Sequence, residues 1–132
     1  MRHIIILGII ICLFSSCLEK IDPKSLTNTN WQLIELTGKT LPANSIATLN
    51  FAEDLKFSGK SFCNNYGGQA VIENNKVSLK NVFGTKMFCQ ETASEENAFL
   101  SALNETSSAK MVDGKLHLLK GEETILIFTK VN

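Results

Sequence analysis

Apolar and polar residues alternate through most of this chain. Ala47, Leu49 and Phe51 share one face while Thr48 and Asn50 take the other, the period of a half-buried strand. Leu55 and Phe57, Val77 and Leu79, and Leu116 and Leu118 repeat the pattern. Asn74-Asn75 and Asp113-Gly114 sit between such runs. Asp-Gly predicts a tight hairpin, because both residues tolerate positive φ. Gly121 predicts the last hairpin turn. Trp31 to Leu36 reads as the first strand. The final run, Thr124 to Thr129, is apolar on both faces, which predicts a central strand.

One helix interrupts the strands. Thr92-Ala93-Ser94-Glu95 has the form of a capping box, and Glu95 and Glu96 suit the positive end of a helix dipole. Phe99, Leu100 and Leu103 form an apolar stripe that a sheet must cover. The expected fold is α+β: a mostly antiparallel, strongly curved β-sheet, a partial barrel, with one main α-helix packed on it.

The first residues follow a different pattern. Arg2 and His3 precede an unbroken apolar run from Ile4 to Phe14, then Ser15-Ser16-Cys17. A short basic start, an apolar core and small exit residues predict a signal peptide over 1–16. The run falls short of the roughly 18 apolar residues of a membrane span. Leu13-Phe14-Ser15-Ser16-Cys17 resembles a bacterial lipobox, with Cys17 as the lipidated N-terminus. Cys12 does not fit, because bulky Ile11 precedes it. Residues 17–29, polar and with Asp22-Pro23 inside, read as the lipidated end and a flexible tether, leaving a domain over 30–132. The absence of Asp directly after Cys17 leans toward the outer membrane of a Gram-negative envelope.

Charge narrows the function classes. Beyond residue 16, twelve Lys face thirteen Asp and Glu, a net charge near −1 with no Arg. A dispersed, near-neutral surface argues against nucleic-acid binding, which needs a concentrated basic footprint. Enzymatic chemistry has little material. His117 is the only histidine of the mature chain, and no Cys-x-x-Cys pair or metal-ligand spacing appears. The expectation is a monomeric, non-catalytic protein without cofactor or metal.

The residues in order resemble a META domain, the family that includes the HslJ-type envelope heat-shock proteins. Trp31-Gln32-Leu33 with Gly38 matches its opening strand. Gly59-Lys60-Ser61-Phe62-Cys63-Asn64-Asn65-Tyr66-Gly67-Gly68 matches its Gly-x-Ser-Gly-Cys-Asn stretch with downstream Tyr and Gly. Thr85-Lys86-Met87-Phe88-Cys89 matches a Thr-(Arg or Lys)-Met-x-Cys segment, and Glu96 to Leu103 its Glu-x-x-aromatic-Leu helix. Phe62 and Phe88 replace small residues before each cysteine, and are expected to be neighbours filling one gap. Ala70 replaces a common aromatic. The resemblance implies an envelope stress protein without agreed catalytic residues.

Exported, Cys63 and Cys89 would meet an oxidising compartment, where a disulfide is the expectation and two buried free thiols the alternative. The bond needs their strands side by side. Two functions stay open. One is an interaction module holding an envelope protein partner through the Asn64-Asn65-Tyr66-Gly67-Gly68 turn or a sheet edge. The other is a carrier enclosing a small apolar ligand, although Phe51, Phe57, Phe99 and Phe128 are expected to fill the interior. For Tyr66 the plainer role is packing against its own sheet.

Overall fold

The alternating runs close on themselves. The chain is described by a computed structural model over residues 20–74 and 76–132. Eight strands run in sequence: β1 (Thr29–Leu36), β2 (Thr48–Phe51), β3 (Lys56–Ser61), β4 (Asn64–Glu73), β5 (Lys76–Gly84), β6 (Ser108–Val112), β7 (Lys115–Lys120) and β8 (Glu123–Val131). Each pairs antiparallel with the next, and β8 returns to β1, through pairs such as Leu33 with Phe128. The ring is strongly curved and irregular, with register shifts in β1, β4 and β7. Its weakest joint lies between β5 and β6, which pair only at Lys76 and Ser108.

The predicted faces fall where the period puts them. Ala47, Leu49 and Phe51 are buried, as are Val77, Leu79, Leu116 and Leu118. β8 lies between β7 and β1 and buries Ile125, Leu126 and Phe128. Asp113 (φ 49°) and Gly114 (φ 75°) both adopt the left-handed backbone that a two-residue hairpin turn requires. Leu55 departs from its predicted strand. It occupies a turn at φ 62°, and β3 begins one residue later.

The main helix, α2 (Ala93–Glu105), lies between β5 and β6 in the chain. Its stripe buries Phe99, Ala102 and Leu103. The predicted capping box does not form: Thr92 is the N-cap residue, but its side chain makes no cap hydrogen bond. No helix among the described residues is long and apolar enough to cross a membrane.

The expected tether needs correction over its second half. Asp22 caps a short helix, α1 (Pro23–Leu26), by accepting from the Lys24 N–H at 2.9 Å, and Pro23 fits its first turn. Ile21 and Leu26 are buried in the same apolar cluster as Trp31. Thr29 joins this packing, its hydroxyl donating to the Leu26 carbonyl and accepting from Trp31 Nε1. The folded unit thus begins near Ile21 rather than at residue 30. Two apolar side chains with no period around them gave no strand or helix signal.

Candidate interaction site

Three of the stretches singled out in the sequence, residues 59–68, residues 85–89 and the helix from Glu96, converge on one corner. Asn64, the first residue of β4, is buried and uses its whole hydrogen-bonding capacity. Its Nδ2 donates to Glu96 Oε1 at 2.8 Å and to the Met87 carbonyl at 3.0 Å. Its Oδ1 accepts from the Met87 N–H at 2.7 Å and from Thr85 Oγ1 at 2.9 Å. Ser61 Oγ, fully buried at the end of β3, also donates to Glu96 Oε1 at 2.8 Å. Glu96 enters from the first turn of α2 and is only 6% exposed. One polar network therefore joins β3, β4, the segment 85–92 and α2.

Cys63 and Cys89 form a disulfide across this corner, with Cα atoms 6.0 Å apart. The pairing is as expected, but the neighbouring-strand arrangement is not. Cys63 lies in the turn between β3 and β4, and Cys89 in the irregular segment before α2. With the Asn64 bonds it fixes residues 85–89 at both ends.

The two phenylalanines before these cysteines are not neighbours. Phe62 is 4% exposed and packs edge-on against Phe99, ring centroids 5.9 Å apart. Phe88 is 80% exposed. Phe62 adopts φ 71°, the left-handed region, which costs an ordinary residue roughly 1–2 kcal/mol. Burying a phenylalanine ring contributes roughly 1.5–3 kcal/mol, enough to offset that cost.

The expected binding turn, Asn64-Asn65-Tyr66-Gly67-Gly68, is not a turn but the start of β4. Only Asn65 of the five is exposed. The Tyr66 ring packs against Phe57 and Phe99, and its hydroxyl donates to the Thr48 carbonyl. Burial pushes its phenol well above the ordinary tyrosine pKa, so it stays a neutral donor. A Cβ on Gly68 would stand 2.4 Å from Phe57 Cζ and 2.6 Å from the Lys80 carbonyl. The glycines therefore serve close approach of β3, β4 and β5, at a shift in register.

Glu96 was legible only as part of a helix start. Its spacing of three from Phe99 places both on one helix face, the signal that could have brought it inside. His117 lies elsewhere, on β7 between Lys110 of β6 and Ile127 of β8. Partial burial, then the nearby Lys110, lowers its pKa. No group of three or more metal-ligating side chains occurs among the described residues. Cys17 lies outside the described residues.

Two clefts flank Phe83 at the end of β5. One, about 660 Å³, runs between the segment 82–89 and α2, with Glu96 in its lining. The other, about 570 Å³, is lined by Phe57, Tyr66, Gly67 and Gly68 among others. Phe83, Met87 and Phe88 all border the first cleft and are 71%, 62% and 80% exposed.

Residues 24–132 match the family model described as META domain. The chain belongs to the META domain family. Solved structures similar to this META domain agree on the fold. A protein from Burkholderia xenovorans solved by NMR is 22% identical, with TM-score 0.70 over 83% of this chain and 86% of its own. A second NMR structure has TM-score 0.67 at 21% identity, covering 83% of this chain and 94% of its own. The crystal structure of a duf4847 family protein from Bacteroides vulgatus gives 0.58 at 17% identity, over 80% and 94%. No curated protein matches the chain.

Proposed function

We propose that this META domain is a non-catalytic interaction module of the bacterial cell envelope, carried by a lipid on Cys17 at the outer membrane and holding a protein partner. The supporting observation is the fixed apolar rim formed by Phe83, Met87 and Phe88. Three large apolar side chains in water around one cleft are a cost to the free protein that a partner relieves. The rim is also ordered beforehand, because the disulfide and the Asn64 bonds fix residues 85–89. Ordering a loop is part of the free-energy cost of association, and here little of it is left to meet on binding. The partner surface is thus the segment before α2, rather than the Asn64–Gly68 strand.

The carrier reading is less well supported. Phe51, Phe57, Phe99 and Phe128 are all buried, and Phe99 meets Phe62, Tyr66 and Phe128 at centroid distances of 5.6–6.3 Å. Those rings take the space an enclosed ligand would need.

The test is position-specific cross-linking in intact cells with the lipid anchor retained. A photoreactive residue at Phe88 should capture a discrete partner that the same residue at Lys120, exposed on β7, does not. The Cys17→Ala chain, which lacks the acylated residue, should capture less. Equal capture at positions 88 and 120 would remove the rim as the partner surface.

A further inference from the structure

β5 leaves much of one side free. It pairs with β4 from Lys76 to Gly84, but with β6 only through Lys76 and Ser108. Val77 donates its N–H to the Ser107 carbonyl at 3.3 Å. Past that bond, among the described residues, no strand pairs with β5 on the side away from β4. An unpaired strand edge presents N–H and C=O groups on which another chain can add a strand. α2 packs beside this edge, and the 660 Å³ cleft lies between them. Val82, Gly84 and Met87 form one wall, and Ala93, Asn97 and Leu100 the other.

The lining of the cleft carries a charge without a counter-ion. Glu96 is 6% exposed, and its Oε1 accepts from Ser61 and Asn64. Among the described residues, Oε2 accepts no hydrogen bond and no lysine forms an ion pair with the carboxylate. Lys86 also borders the cleft, but as an exposed side chain. Oε2 is not among the fully buried oxygens left without a partner, so it opens to the cleft, and a ligand that expels water from it must supply a cation or donors in its place. An anionic ligand would meet repulsion here, and a purely apolar one would leave Oε2 uncompensated.

We infer that the cleft binds an extended peptide segment of a protein partner, which adds a strand to the free edge of β5 and passes a lysine or arginine side chain down to Glu96. The inference rests on the interaction-module reading and names the chemistry of its partner. Main-chain bonds to the β5 edge supply affinity, and the carboxylate supplies the choice of side chain. Val82 and Leu100, both partly buried, cover the apolar stem of that side chain while its cationic end reaches the carboxylate.

Calorimetric titration of the full chain in detergent micelles tests this with three synthetic probes. The first is a capped peptide of about seven residues, one strand's length, alternating valine and threonine around a central lysine. The second carries norleucine in place of lysine. The third keeps lysine but has alternate backbone nitrogens methylated. The lysine peptide should bind at least about tenfold more tightly than the norleucine peptide, the scale of a desolvated charge contact. Backbone methylation should abolish binding. Glu96→Gln, whose amide oxygen still accepts from Ser61 and Asn64, should erase the preference for lysine.

Equal affinity for lysine and norleucine peptides on the unmodified chain would overturn the inference without any variant. So would a lysine preference that survives Glu96→Gln, full binding by the methylated peptide, or no binding by any probe. Butylamine displacing the lysine peptide at equal concentration would do the same, since it would place the whole affinity on the amine. If these arms fail while cross-linking from position 88 persists, the interaction module stands and only the basic-strand chemistry falls.

Discussion

The hairpins β6–β8 and the corner around Asn64 hold together by different means. In β6–β8, inward residues such as Leu116, Leu118, Leu126 and Phe128 are almost fully buried, and the turn at Asp113-Gly114 joins strands that are neighbours in sequence. Alternation and a turn dipeptide suffice there. At the corner, Ser61, Asn64, Thr85, Met87 and Glu96 come from segments as many as 35 residues apart and meet through side-chain hydrogen bonds. Apolar period builds the ring, whereas specific polar bonds decide which loop is fixed against it and how.

Phe99 joins the two halves, because its ring meets Phe62 and Tyr66 on one side and Phe128 on the other. Phe99→Ala should therefore have the largest effect, about 3–5 kcal/mol in urea unfolding. A loss below about 1 kcal/mol, the scale of a surface change, would mean the halves are not coupled through it. Replacing Cys63 and Cys89 together by serine should cost about 3.5 kcal/mol in the chain-entropy model. Limited proteolysis should then cut first within 85–92, while the β6–β8 hairpins stay protected; simultaneous cleavage of both would erase the contrast.

Asn64→Ala tests the polar half more directly. It leaves both backbone groups of Met87 and one bond of Glu96 without their partner, and should cost about 3 kcal/mol. A change within about 0.5 kcal/mol would make the network incidental. The smallest effect belongs to the hairpin half. Because burial lowers the His117 pKa, the unfolded chain takes up its proton more readily than the folded one. Stability from this group is complete above the unfolded value of about 6.5 and is lost as pH falls through the folded value. His117→Gln should flatten that decline in thermal unfolding between about pH 7 and pH 5. An unchanged slope would assign the decline to other groups.

What could be read from the sequence follows the same division. Trp31–Leu36, the 47–51 alternation and the Asp-Gly hairpin are local patterns, and the structure has them in place. The Asn-Tyr-Gly-Gly run looked like a turn because those residue types favour turns. Here the missing Cβ atoms make room for the Phe57 ring and the Lys80 carbonyl inside a sheet, a requirement visible only once β3 and β5 are placed. Phe62 and Phe88 share a sequence context, yet one turns into the core through a left-handed backbone and the other points to water. The Thr92–Glu95 capping box misled because Glu96, one residue on, makes the inward contact, with Ser61 and Asn64.

The single pair between β5 and β6 also sets an order of events in time. Of the strand pairs that follow one another in the chain, β5 and β6 are the pair separated by the whole of α2, and the other long-range joint, β8 with β1, is held at six positions from Asn30 with Val131 to Leu36 with Leu126. Local pairs form early, and those closing long loops wait for their entropy to be met. The β8–β1 joint closes a longer loop still but is held by six pairs, so the ring should reopen first at the single pair between β5 and β6, unrolling toward a curved open sheet while the hairpins persist. α2 packs against β5 beside this joint and is itself held by Phe99 and Leu103, which are buried in the common apolar core. In hydrogen exchange the Val77 amide, bonded to Ser107, should lose protection before the amides of β7 and β8.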